Sequence, residues 1–350
     1  MRIHITDIHI GDRLTSNVFN NFGLHVLSSN TVLTVDDIQM LRRHHIEYVD
    51  IAMRENFEGL IQRNPQLELI AQEVQPKYDS AVTGMKNLFE QVMNEGQIDE
   101  RIVDENYEPL VEHFLQEKDV VSLLLSLNSQ DEYTYHHSVQ VSMISYYIAR
   151  WIGLSDEQSL LVGKAGYLHD IGKGQINLDI LNKPSKLTDE EFQIMKQHTT
   201  LGHNIITRSI IDGKEIGLVA LQHHERLDGS GYPNGISGNQ MHPMSKIVAV
   251  ADVYSAMISS RVYQKKKDLL YVLRELHKLS FSELDPQIVH TFIQKMIPNF
   301  IGKKLVLISG EIGQIVMTNQ ADPFRPLVRF DDQFVDLSKD YHLEIDAIYV

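Results

Sequence analysis

The sequence predicts a mainly α protein, with a small α+β module ahead of the helices and a short β-rich tail behind them. Three observations carry this. Short apolar stretches alternate with turns through residues 1–57, helical periodicity dominates 58–299, and brief alternating runs follow Pro298. At 350 residues the chain exceeds one ordinary domain. Four parts are expected: a regulatory or interaction module over 1–57, a helical connector over 58–128, an all-helical domain over 129–299, and the tail over 300–350.

The first part reads strand-like at Ile3, Ile5 and Ile8, turns at 20–23, and starts a helix at Thr34-Val35-Asp36-Asp37. Ile46 to Ile51 is again strand-like. The connector carries Leu67, Ile70 and Val74 on one stripe and Val111, Phe114 and Leu115 on another, punctuated by Pro65, Pro76 and Pro109. Ser155-Asp156-Glu157-Gln158 and Thr188-Asp189-Glu190-Glu191 resemble capping boxes, the second opening a helix that carries His198. Lys304 to Ile308, Gln314 to Met317, Leu327 to Phe330 and Leu343 to Ile345 are the expected strands of the tail.

Composition narrows the function. Hydrophobic residues make up 43% and charged residues 23%, enough for an ordinary soluble core. Thirty-two Lys and Arg against 47 Asp and Glu give a formal charge of -15, which argues against a DNA, RNA or polybasic membrane-surface binder. Cysteine is absent, so disulfides, thiolate zinc sites and a cysteine nucleophile are excluded. No run of eighteen apolar residues occurs and MRIHITDIHI does not read as a signal peptide, so no membrane span and a cytoplasmic location are expected.

The informative feature is misplaced polarity. Ile247 to Ile258 is apolar on every side except for Asp252 and a few small or hydroxyl-bearing residues. A buried carboxylate there is costly unless a cation or strong donors compensate it. His169-Asp170 falls in the apolar surroundings of Leu168 and Ile171, before Gly172 and Gly174 end a helix. His137, His198, His223 and His224 occupy comparable places. Five imidazoles and two carboxylates exceed the needs of one octahedral ion, whereas two ions sharing a carboxylate use them all. The expected arrangement gives His137, His169 and Asp252 to one ion, gives His198, His223 and His224 to the other, and has Asp170 bridge. Without thiolates, Fe or Mn is the preferred metal, with Zn, Ni or Co also compatible.

Those residues stand in a recognisable order. Tyr133 to Ser138, Leu168-His169-Asp170-Ile171-Gly172-Lys173, Leu181 to Pro184, Met195-Lys196-Gln197-His198, His223 to Pro233 and Ala249 to Asp252 together resemble the HD-GYP domain, a branch of the HD superfamily of metal-dependent phosphohydrolases. The resemblance covers about half the chain. It implies hydrolysis of cyclic di-GMP to pGpG or GMP, by a water activated between two divalent ions. It also assigns Lys173 to a phosphate oxygen and to the leaving alcohol, and Arg261 to phosphate; the permissive loop at 229–235 offers the Gly231 backbone and the Tyr232 ring to a guanine, and Lys265 is the expected substitute for the basic residue missing beside Arg261. The chain departs from the family at two places. Tyr133 stands where some members carry a Glu that binds a third metal, so two ions are expected. Val262 and Gln264 replace the usual Pro and basic residue beside Arg261.

Three alternatives stand beside this reading. One is a catalytically weak cyclic di-GMP receptor; another is a hydrolase for a different cyclic dinucleotide such as cyclic GMP-AMP. The last lies in the tail, where Arg325 and Arg329 match the Arg-x-x-x-Arg of PilZ receptors, although that family's second motif is missing. A homodimer through the connector or the N-terminal module is compatible with all three.

Overall fold

The computed structural model describes residues 2–5, 8, 11–20, 24–44, 46, 48–52, 65–114, 133–258 and 269–349. They fall in two compact units, Met1–Arg63 with Phe300–Val350, and Asn64–Asn299. Among the described residues, no helix is long and apolar enough to cross a membrane.

In the first unit, strand β1 (Arg2–His4) pairs antiparallel with β4 (Tyr48–Asp50), and β2 (Val18–Phe19) with β3 (His25–Leu27). Helix α1 (Val35–Arg43) begins at a full capping box. The Thr34 hydroxyl accepts the Asp37 amide and the Asp37 carboxylate accepts the Thr34 amide. Its apolar face closes a core of Leu14, Leu33, Leu41 and Ile51. The tail forms β5 (Lys304–Leu307), β6 (Ile312–Met317), β7 (Leu327–Phe330), β8 (Gln333–Asp336) and β9 (Ile345–Tyr349), an antiparallel sheet in the order β8-β7-β6-β5-β9. Strand β8 escaped the sequence reading because its residues are half-buried or exposed and show no apolar alternation. Arg325 spends its guanidinium on the carbonyl oxygens of Leu337, Asp340 and Leu343, which is the work of a loop staple.

The second unit opens with α2 (Pro65–Glu95) and α3 (Glu100–Phe114). Pro76 and Pro109 lie inside these helices and do not punctuate them. On α2 the buried stripe Val74, Tyr78, Ala81, Met85, Leu88 and Val92 runs through Pro76 at spacings of three and four. Packing along that stripe outweighs the one amide donor a proline removes. Both helices pack onto the helices that follow, α4 (Tyr133–Trp151) and α5 (Asp156–Leu168). Tyr167 donates to Ala81 O at 2.5 Å, Phe89 sets a ring edge on Tyr135, and Lys164 bridges Glu100 and Asp104.

After α5 come a 3-10 turn (Ile171–Gln175), α6 (Leu178–Leu181), α7 (Asp189–Lys196), α8 (His198–Ser209) and α9 (Lys214–Gln222). Then follow α10 (Pro243–Ile258), α11 (Leu269–Leu279) and α12 (Pro286–Met296). Both expected capping boxes are present, Ser155 with Gln158 and Thr188 with Glu191. One expectation needs correcting. The helix opened at Thr188 ends at Lys196, and His198 begins the next one, because the Gln197 amide turns back to Ile194 O and breaks the regular ladder.

The 3-10 turn is wedged between α2 and α8. A Cβ on Gly172 would stand 2.0 Å from His198 O and 2.4 Å from the Gly202 amide, both backbone atoms that cannot rotate away. Gly172→Ala should therefore destabilise the protein by about 1–3 kcal/mol, the usual range for overpacking. Chemical denaturation measures this, and an unchanged midpoint would contradict the wedge.

Candidate metal centre

Five helix ends and faces bring the polar residues together. His137 projects from the first turns of α4, His169 and Asp170 follow the last turn of α5, and His198 opens α8. His223 and His224 follow α9, and Asp252 comes from the buried helix α10. His137, His169, Asp170, His198, His223 and Asp252 are all buried, and His224 is half-buried. Their donor atoms form two groups, each within 4.8 Å: Asp170, His198, His223 and His224 in one, and His137, His169 and Asp252 in the other. This is the division expected from the sequence, with Asp170 facing both. Its Oδ1 lies 3.3 Å from His198 Nε2 and 3.8 Å from His223 Nε2, while its Oδ2 lies 3.3 Å from His169 Nε2. His224 Nδ1 approaches Asp252 Oδ2 at 3.8 Å, so it too borders both groups.

The imidazole tautomers follow from the backbone. His169 Nδ1 is 2.7 Å from Gly166 O, His198 Nδ1 is 2.7 Å from Met195 O, and His223 Nδ1 is 2.9 Å from Ala220 O. A carbonyl oxygen only accepts, so each Nδ1 must carry the proton and donate it. Each Nε2 is then a bare lone pair aimed into the site. Two of these lone pairs, on His198 and His223, face each other at 3.4 Å. His137 repeats the pattern through side chains. Ser255 gives its hydroxyl proton to Gln140 Oε1 and so accepts from His137 Nδ1, which leaves His137 Nε2 against Asp252 Oδ1 at 3.0 Å. His169 Nε2 and Asp170 Oδ1 have no hydrogen-bond partner at all.

Electron pairs converging on electron pairs in a buried site are repulsive, and protonation offers little relief. Burial holds His137 and His223 below the usual imidazole range, and pushes His198 down to about 4 and His224 to about 3. Burial pulls His169 down as well, but the Asp170 carboxylate beside it more than reverses that. The carboxylates stay ionised. Burial raises both, yet Lys173 and His169 outweigh it at Asp170, and His137 and His224 at Asp252. Four imidazoles held neutral by burial, a fifth on His169 that faces the Asp170 carboxylate, and two ionised carboxylates make a nitrogen and oxygen donor set that a divalent transition metal takes, so the residues fit such an ion.

Around this set, Lys173 donates to Asp170 Oδ2 at 2.5 Å from the 3-10 turn, with its amine partly exposed. The 229–235 loop folds back over the site. A Cβ on Gly231 would meet the backbone of residues 224–226 at 2.4–2.5 Å. Tyr232 stacks its ring on His224 at 4.6 Å. Glu225, wholly buried, shapes the loop by accepting the Asn234 and Ile236 amides. Arg261 and Lys265 lie outside the described residues. Sequence reasoning missed Gln140 and Ser255, although each follows a ligand position by three on a buried helix, the spacing that places a supporting side chain on the same face. It missed the anchoring role of Glu225, for which one sequence carries no signal.

Comparison with known proteins places these residues in a family. Residues 119–288 match the HD domain. A cyclic di-GMP phosphodiesterase of Pseudomonas aeruginosa is 35% identical over 59% of this chain and 50% of its own length. One from Thermotoga maritima is 41% identical over 52% of this chain and 51% of its own. A 3'3'-cGAMP-specific phosphodiesterase of Vibrio cholerae is 31% identical over 53% of this chain and 44% of its own. The chain thus spans about half the length of the curated relatives it matches. Residues 119–288 thus form an HD domain, and the relatives that share about a third or more of the aligned residues support the HD-GYP resemblance of that domain.

Proposed function

We propose that the chain hydrolyses a phosphodiester bond of a cyclic dinucleotide, with cyclic di-GMP the first substrate to test. The carrying observation is the convergence of unprotonated imidazole nitrogens on two buried, ionised carboxylates. Two ions would be held there, one by His137, His169 and Asp252, the other by His198, His223 and His224, with Asp170 shared. Fe or Mn suits these donors, with Zn, Ni or Co compatible. Two carboxylates against the single ammonium of Lys173 otherwise leave the site negative and hostile to phosphate. Bound divalent cations would reverse that sign, take phosphate oxygens and make a water nucleophilic near neutral pH.

The chain's own groups do the rest. The carbonyl locks on Nδ1 fix His169, His198 and His223 so that these rings need no reorganisation when charge develops. Lys173, tethered to Asp170 and partly open to solvent, can donate a proton from Nζ to the departing alcohol. Tyr232 presents an aromatic edge of the site to a base, with Gly231 letting its loop approach. Arg261 and Lys265 would add phosphate contacts from the segment after α10. A second reading, hydrolysis of 3'3'-cyclic GMP-AMP, is favoured by the specificity of the Vibrio cholerae relative. Parallel assays of the two dinucleotides separate them by kcat/KM.

Asp170→Ala should abolish turnover and lower the metal content measured by elemental analysis, while the far-UV circular dichroism stays helical. Full turnover in that variant would refute the shared-ligand role. Stripping the wild type with a chelator should silence it, and Fe or Mn should restore it.

The metal-free protein should also lose stability as pH falls from about 6.5 toward 4. His198 and His224 take up protons in the unfolded chain near their ordinary pKa of 6.5, but in the folded chain only near 4 and 3. The unfolded state therefore binds more protons throughout that window, and stability rises with pH there. His137 and His223 act in the same sense, and His169 alone opposes them. Urea midpoints taken across this range test the sign, and a flat or inverted profile contradicts it.

A further inference from the structure

A cation that has no acidic partner among the described residues sits one aromatic ring away from the candidate metal centre. Lys196, the last residue of α7, holds its ammonium 4.8 Å from the centre of the Phe192 ring and 5.2 Å from that of Tyr232. The two rings meet edge to face at 6.3 Å, and Tyr232 in turn stacks on His224. Phe192 and Lys196 are four apart on one helix, so their contact alone would be ordinary helix-surface packing. Tyr232 changes its meaning. It arrives from the 229–235 loop and turns a local pair into a two-ring seat for the ammonium. Among the described residues no carboxylate pairs with Lys196. The neighbouring Lys183, by contrast, is occupied by Glu191 at 2.6–2.7 Å, and Lys173 by Asp170. Phe192 is 43% exposed, and no residue of α7 is buried, so this ring is not part of a buried core. Ring faces orient an ammonium without neutralising it, which keeps its charge available to an anion.

A cyclic dinucleotide carries two phosphates, of which only one is cleaved at a time. We propose that Lys196, seated between Phe192 and Tyr232, binds the second, uncleaved phosphate, and so makes the site select diesters that carry two charges. The proposal rests on the functional reading above. It adds a residue that the metal-centre argument does not use. It also explains how a chain of net charge -15 recruits an anion that extends beyond the metal ions.

The test compares a two-phosphate with a one-phosphate substrate in Lys196→Met, Lys196→Arg and wild-type protein loaded with Mn. The substrates are the better-cleaved cyclic dinucleotide and bis(p-nitrophenyl) phosphate. The ratio of their kcat/KM values should fall about tenfold in Lys196→Met, chiefly through KM, and return to within about threefold of wild type in Lys196→Arg. Phe192→Leu, which keeps bulk and removes the ring face, should lower the ratio by about threefold. Equilibrium binding of the phosphorothioate cyclic dinucleotide should weaken in parallel, and thermal melting should stay where it was. A ratio unmoved in Lys196→Met, with the dinucleotide still cleaved, overturns the second-phosphate role and leaves the functional reading intact. So does an equal loss on both substrates. Wild-type protein that cleaves the one-phosphate ester yet neither binds nor cleaves any cyclic dinucleotide sinks both.

Discussion

The site depends on a backbone device repeated three times. A histidine at the end or start of a helix donates Nδ1–H to the carbonyl three residues earlier, at 2.7–2.9 Å for His169, His198 and His223. Each such bond removes the choice of tautomer and turns Nε2 inward. A carbonyl near a helix C-terminus is free for this because the last turn leaves its acceptors unpaired. Helix termination and ligand orientation are therefore one event here, which is why His169, His223 and Met195 O all fall where helices stop. His137 lies inside a helix, whose own carbonyls are taken. It needs Ser255 and Gln140 to do the same job through side chains.

Much of this was legible in the sequence for identifiable reasons. The capping box at Ser155 and the apolar run around Asp252 are local signals, read from spacing alone, and they located two of the helices that position the site, whereas the box at Thr188 located a helix that stops short of His198. A buried Asp in an apolar helix is a conflict between burial and charge, and such conflicts are visible without coordinates. Less legible was anything set by packing between distant segments. Prolines at 76 and 109 read as breaks because the cost of a lost hydrogen bond is local, whereas the stripe that overrides it on α2 is a property of the whole helix. The break at Gln197 was missed for the converse reason, since neither Gly nor Pro stands in residues 189–201 to mark it. Arg261 and Lys265 remain sequence-based assignments.

Lys196 shows a third kind of illegibility. Within one helix it is a routine surface lysine beside a routine surface phenylalanine. Only a loop thirty-odd residues away, held by buried Glu225 through two backbone amides, supplies the ring that makes the pair a site. The same loop needs glycine at 231 to pass against residues 224–226. Loop shape, and not the identity of Lys196, is what converts a solvated charge into an oriented one.

The turn bearing Asp170 and Lys173 is held from both sides. Gly172 lies against His198 O and the Gly202 backbone on α8, and Gly174 lies against Val92 and Phe89 O on α2. A shared carboxylate must keep its two oxygens aimed at different groups at once, which tolerates little rotation. Helix α8 fixes the turn relative to His198 of one group, while α5 fixes it relative to His169 of the other. Helix α2 packs on the turn at Gly174. The long helix at 65–95 thus supports the turn that carries Asp170 without contributing to the His/Asp clusters itself. The segment that looked like a spacer in the sequence is part of the candidate site's foundation, because a carboxylate that faces two clusters is only as well placed as the backbone beneath it.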